Sequence, residues 1–176
     1  MAAFGMGPEA DAQGGGAAEA EAQALLARHA RSPWYAEARP VFDAWTERLM
    51  AATQAVEMEQ MMATMLPLYL AEPDKPEVAA RLAEMTRAMK ANLAAGQAWE
   101  GGLYQSVDLR PLLGRITCPT LIVAGELDFI CGPAQARPLA SAIPGSQLVM
   151  LPGCGHIPSI EAPEQYRHAV VEFLSH

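Results

Sequence analysis

The chain has 176 residues, 51% hydrophobic and 18% charged, with 12 Lys and Arg against 20 Asp and Glu for a formal net charge of -8. That composition is expected to fold around a real core rather than stay disordered. With no Lys/Arg cluster it argues against nucleic acid or an anionic membrane as partner, and its longest apolar stretch, Met61 to Leu70, is too short and too interrupted to cross a bilayer.

Residues 1 to 20 are mostly Ala, Gly, Glu and Gln around Gly14-Gly15-Gly16, without apolar periodicity. They are expected to be a flexible leader. No basic start followed by an apolar core is present, so no secretory signal is read there. Alanine and leucine between Glu21 and Ala30 suit a short helix, which Ser32-Pro33 breaks.

A helix is predicted from Arg39 to about Val56, with Pro40 near its start and Phe42, Trp45 and Leu49 on one face. Met58, Met61, Met62, Met65, Leu66 and Tyr69 then recur at helical spacing. After the turn Glu72 to Pro76, a third helix is expected to run to about Ala95. Val78, Leu82, Met85, Met89 and Leu93 form its stripe, and Gly96 is its stop. Seven of the ten methionines lie in this helical region, residues 21 to 107. They suit a pliable lid over an apolar substrate, since Met adapts to irregular shapes. A stripe at helical spacing equally needs nothing more than helix-on-helix packing.

From residue 108 to 176 the pattern changes. Asp108 to Leu113 reads as a short helix leading to an apolar run, Leu121 to Ala124, that ends in Gly125. Pro133 to about Ile143 reads as a crossover helix, Pro144-Gly145 as a turn, and Gln147 to Leu151 as a second strand. Continuous apolar runs suit strands covered on both faces, as in a parallel sheet. Pro163 to Leu174 closes the region as a helix, with Tyr166, Ala169, Val170, Phe173 and Leu174 on its buried face.

Two residues at the strand tips can do chemistry. Asp128 follows the first strand through Gly125, and His156 follows the second through Gly153-Cys154-Gly155. Open α/β sheets build their sites just past the carboxyl ends of their strands. A carboxylate and an imidazole placed there are two thirds of an acyl-transfer triad: the acid holds the tautomer of the base and stabilises its cation. By position alone Asp128 serves equally well as a helix cap or a surface acid. Glu126 is the runner-up acid. Cys154 reads as a small packing residue of a tight turn rather than a nucleophile. His29, His168 and His176 read as structural or surface histidines. The three cysteines, Cys118, Cys131 and Cys154, have no metal-ligand spacing, so neither metal nor cofactor is expected, and a reduced cytoplasmic setting is the simplest account.

The residues Asp108-Leu109-Arg110-Pro111-Leu112-Leu113, Ile116 to Asp128, Gly153-Cys154-Gly155-His156-Ile157-Pro158 and Glu161-Ala162-Pro163-Glu164 resemble the C-terminal end of an α/β-hydrolase. The helical region before them resembles the cap of that family and is most like proline iminopeptidase-type hydrolases. The resemblance implies an α/β fold with an all-helical cap over the last part of the hydrolase sheet. It also implies that Asp128 is the triad acid and His156 the triad base in serine-type hydrolysis of a small-molecule ester or amide.

In that family the serine sits in a Gly-x-Ser-x-Gly elbow ahead of the acid and the base. None of the serines here (Ser32, Ser106, Ser141, Ser146, Ser159, Ser175) has those flanking glycines. The expectation is therefore a fragment or split subunit that is inactive alone, with a second polypeptide carrying the nucleophile half. The alternative is a non-catalytic small-molecule-binding or interaction domain on the same scaffold. Two parallel strands alone also leave an open edge, which either the lid helices or another chain must cover.

Overall fold

The computed structural model describes residues 15–103 and 106–175. The first 14 residues of the expected leader, Tyr104 and Gln105 of the connector, and His176 lie outside the described residues. Helix α1 spans Gly15–Ala27, so helix begins before Glu21, inside the stretch expected to be leader. The chain then turns through Ser32 and Pro33 into α2, Tyr35–Asp43.

The predicted helix from Arg39 to Val56 is three pieces. Helix α2 ends at Asp43, α3 covers Trp45–Ala51, and α4 covers Ala55–Met65. The break at Ala52, which is extended at ψ 142°, has a local cause. The Glu57 carboxylate accepts the backbone N–H groups of Thr53 and Gln54, both at 2.7 Å. Those donors are then satisfied without a preceding helical turn, and a carboxylate suits a helix N-terminus. The methionine stripe continues from α4 into a 3-10 turn, Leu66–Tyr69.

The third predicted helix is also divided, into α5 (Pro76–Ala88) and α6 (Leu93–Ala98). Met89 is extended, Ala91 donates its N–H to Glu59 Oε1 at 3.0 Å, and Asn92 caps α6 by accepting the N–H of Ala95. Gly96 is not a stop. It lies within α6, where a Cβ would press only on the flexible end of the Met58 side chain, at 2.9 Å from its Cε.

The C-terminal region follows its pattern closely. Among the described residues the sheet has two strands, β1 (Leu121–Gly125) and β2 (Gln147–Leu151), paired in parallel from Leu121 opposite Gln147 to Gly125 opposite Leu151. Helix α7 (Pro133–Ala142) makes the crossover, α8 is the single turn Pro158–Glu161, and α9 spans Pro163–Leu174. Asp108 to Leu113 is not helical from its start; the turn there is a 3-10 helix, Arg110–Arg115. Helices α7 and α9 both pack on the two strands.

Cover on the sheet is partial. Leu121, Ile122, Val123, Leu148, Val149 and Met150 are only half-buried despite their apolar character. On α9 only Ala169 is fully buried, and Leu174, expected on the buried face, is 74% exposed. Tyr166 is exposed as well. A helix has one apolar stripe, and here part of that stripe meets no described residue that would bury it.

Two clusters join the helical block to the sheet unit. One gathers Leu26, Ala38, Phe42, Met65 and Leu68, with Tyr69 and Phe129 packed against it. The other gathers Leu70, Val78 and Ile160, with Leu82, Met85 and Ile157. Phe129, Ile157 and Ile160 all follow the strand ends, so the helices pack where Asp128 and His156 emerge.

Candidate active site

The strands end at one level, because Gly125 and Leu151 are register partners. The two loops beyond them are bonded together: Glu126 N–H donates to Leu151 O at 3.0 Å, and Leu127 N–H to Cys154 O at 2.8 Å. This approach needs Gly125. A Cβ there would lie 2.1 Å from Gly155 O and 2.4 Å from Cys154 O. The turn after β2 is made by Gly153 at φ 64°, a left-handed conformation that side chains disfavour.

Asp128 and His156 meet in this geometry. Their Oδ2 and Nδ1 atoms are 2.9 Å apart, with the Asp128 side chain 5% exposed and that of His156 33% exposed. The other carboxylate oxygen of Asp128 accepts two backbone N–H groups, from Ile130 at 2.7 Å and Cys131 at 3.0 Å. Those two bonds fix the carboxylate, so Oδ2 faces the imidazole with no torsional choice left. With Nδ1–H given to Asp128, Nε2 is the basic nitrogen, and among the described residues it has no hydrogen-bond partner. A half-exposed imidazole with Nδ1–H held by a buried carboxylate can accept a proton at Nε2 and have the resulting charge stabilised.

The His156 loop is seated on the helical block. His156 N–H donates to Tyr69 O at 2.8 Å, and the two rings lie 5.5 Å apart, tilted by 49°. Tyr69 also packs on Phe42 and Phe129, with centroids 6.0 and 5.5 Å away. Burial, with the Glu100 carboxylate adding to it, pushes the Tyr69 phenol up, so its hydroxyl stays neutral. An aromatic wall thus runs from the residue after the acid to the base.

The remaining candidates resolve by location. Glu126 is exposed and turned to the N–H of Gly153, 3.4 Å from its Oε2. Cys154 is buried, and burial, then the charges of Glu161 and Asp128, push its thiol up to about 12. A thiol held protonated is a poor nucleophile, so Cys154 packs the turn. His29 is buried in the helical block, its Nε2 3.0 Å from Leu70 O, and His168 is exposed on α9. The three cysteines are free thiols, and the described residues contain no His/Cys/Asp/Glu group able to hold a metal ion. No helix among them is long and apolar enough to cross a membrane.

Two contributors were missed by sequence reasoning. One is the carbonyl of Tyr69, a residue whose sequence signal is only its place in the methionine stripe. The other is Glu161, whose Oε2 accepts the N–H of Ala71 at 2.5 Å while Oε1 accepts that of Ile157 at 3.3 Å. Burial raises the Glu161 carboxyl, opposed by these bonds, by one from Gly155 and by the charge of Arg28.

Known proteins resemble this chain over part of their length. The pimeloyl-[acyl-carrier protein] methyl ester esterase of Nitrosospira multiformis is 35% identical over 79 residues, 44% of this chain and 30% of that one. Among solved structures, the enol-lactonase of Burkholderia xenovorans LB400 superposes with a TM-score of 0.60 at 26% identity, over 76% of this chain and 51% of that one. MenH of S. aureus superposes with a TM-score of 0.56 at 27% identity, over 79% and 52%. The chain therefore spans about half the length of these solved structures and less of the esterase. The family model for the alpha/beta hydrolase fold matches residues 29–163, which together with the parallel strands and their helices shows that this chain belongs to the alpha/beta hydrolase fold family.

Proposed function

We propose that this chain supplies the acid, Asp128, the base, His156, and the helical cap of a serine-type hydrolase acting on a small-molecule ester. The observation that carries the reading is the 2.9 Å contact between a doubly anchored, buried carboxylate and an imidazole whose Nε2 has no partner among the described residues. The serine nucleophile and the oxyanion N–H donors lie outside these 176 residues, which contain no Gly-x-Ser-x-Gly. The half-buried strands and the exposed Leu174 and Val171 of α9 suit packing against those further residues. Each large apolar side chain left in water forgoes about 1.5 to 3 kcal/mol, against a domain stability of about 5 to 15 kcal/mol. An ester rather than an amide is favoured by the relatives, whose names describe an esterase and an enol-lactonase. In the reaction, His156 Nε2 takes the proton of the serine hydroxyl as it attacks the ester carbonyl, then returns it to the leaving alcohol. Asp128 holds Nδ1–H throughout and stabilises the imidazolium.

The test is to express the chain from its own locus with the flanking reading frames and to assay short-chain nitrophenyl esters. The locus product is expected to turn over, the isolated chain is not, and His156→Ala should lower the rate by about 10^6-fold. A locus product without activity, or a His156→Ala variant with unaltered turnover, overturns the reading.

A further inference from the structure

The segment Tyr69–Ala71 is tied at three successive residues. Tyr69 O accepts from His156 N–H at 2.8 Å, Leu70 O accepts from Arg28 Nη2 at 2.9 Å, and Ala71 N–H donates to Glu161 Oε2 at 2.5 Å. Leu70 itself is fully buried, so the segment is a fixed strap between the helical block and the sheet unit. Glu161 is the only one of these side chains that also grips the loop carrying the base. Its Oε1 accepts the N–H of Ile157, the residue after His156. Gly155, the residue before His156, is pressed against the same parts, since a Cβ there would lie 2.5 Å from Tyr69 O, 2.8 Å from Ala71 N and 2.9 Å from Glu161 Oε1.

We infer that Glu161 is a positioning residue for His156: its carboxylate staples the Gly155–Ile157 loop to the strap Tyr69–Ala71, so the aim of the imidazole depends on where the cap sits. The inference rests on the acid and base roles proposed for Asp128 and His156. Two oxygens of one carboxylate each hold a backbone N–H from a different unit, and both donors flank the imidazole's own anchor on Tyr69. A carboxylate satisfies both donors at once. An amide offers one acceptor oxygen and two N–H donors, so Glu161→Gln can hold only one side.

The test is hydrogen exchange of the His156 imidazole N–H, read by nitrogen-15 histidine spectroscopy on the locus product and assigned by its loss in His156→Ala. The unaltered protein is expected to show a protected Nδ1–H. Glu161→Ala should speed its exchange about tenfold, the effect of losing one charge-assisted bond, and Glu161→Gln should do so by less. Arg81→Gln is the comparison, because Arg81 Nη1 ties Ile160 O at 3.0 Å, next to Glu161, without touching the His156 loop. It should leave the exchange within twofold. If Glu161→Ala does not fold, Glu161→Gln decides. A protected proton that both Glu161 variants leave unmoved overturns this inference alone, as does an Arg81→Gln effect as large as that of Glu161→Ala. An unaltered protein without a protected Nδ1–H overturns the Asp128–His156 pairing and with it both proposals.

Discussion

Gly125→Ala places a methyl group where the two functional loops cross. The new Cβ would sit 2.1 Å from Gly155 O and 2.4 Å from Cys154 O, whereas ordinary contact begins at 3.4 Å. Both obstacles are backbone, and no side chain can swing away. The His156 loop must retreat by more than 1 Å. Overpacking of this kind costs about 1 to 3 kcal/mol. The retreat also strains the Leu127–Cys154 backbone bond, now 2.8 Å long, which contributes a further ~0.5 to 1.5 kcal/mol. A loss of about 2 to 4 kcal/mol lowers the melting temperature of a chain this size by about 4 to 16 °C. The assay is a thermal melt of the locus product followed by circular dichroism, with ester turnover measured well below the transition. Turnover should fall further than the folded fraction does, because Asp128 and His156 are separated in the molecules that remain folded. A melt within 2 °C of the unaltered protein would refute the claim that these loops are locked in contact.

Cys154 should resist alkylation by iodoacetamide at pH 8 until the protein unfolds, while the exposed Cys118 reacts. The sign follows from its thiol being pushed up to about 12, which leaves little thiolate at pH 8; native-state mass spectrometry showing Cys154 labelled first would contradict it. His29 should make the protein acid-sensitive. Burial, then the charge of Arg28, lower its pKa below the ordinary 6.5, so the unfolded state binds the extra proton. Its contribution is therefore present above about pH 6.5 and lost as pH falls through the lowered value. His29→Gln should flatten the dependence of the urea midpoint between pH 7.5 and 5, and an unchanged slope would refute the assignment.

What the sequence made legible was the part whose signals are local. The strand Gln147–Leu151 and the helix Pro163–Leu174 fall where an apolar run, a glycine-bearing turn and a proline at the first helical position put them. The meeting of Asp128 with His156 followed from their matched positions beyond two adjacent strands. The helical block was less legible in part because one of its breaks is held from a distance. Glu59 takes the N–H of Ala91 from another helix, and no periodicity in either segment announces that. The carbonyl of Tyr69 carries no side-chain signal at all, and its bond to His156 spans the whole of the intervening chain. The stripe of α9 misled in a different way. Its apolar spacing was read correctly, but burial depends on what lies opposite, and Leu174 is exposed.

The central claim is that His156, held by Asp128, activates a serine that lies outside these 176 residues. A fluorophosphonate probe tests it most directly, since it bonds covalently to a serine only when a base has made that hydroxyl nucleophilic. Treat the locus product and locate the adduct by mass spectrometry of its peptides. The adduct should fall on a Gly-x-Ser-x-Gly serine outside these 176 residues, and labelling should fall to background in His156→Ala. An adduct on any of the six serines of this chain, or labelling unchanged in His156→Ala, would contradict the account.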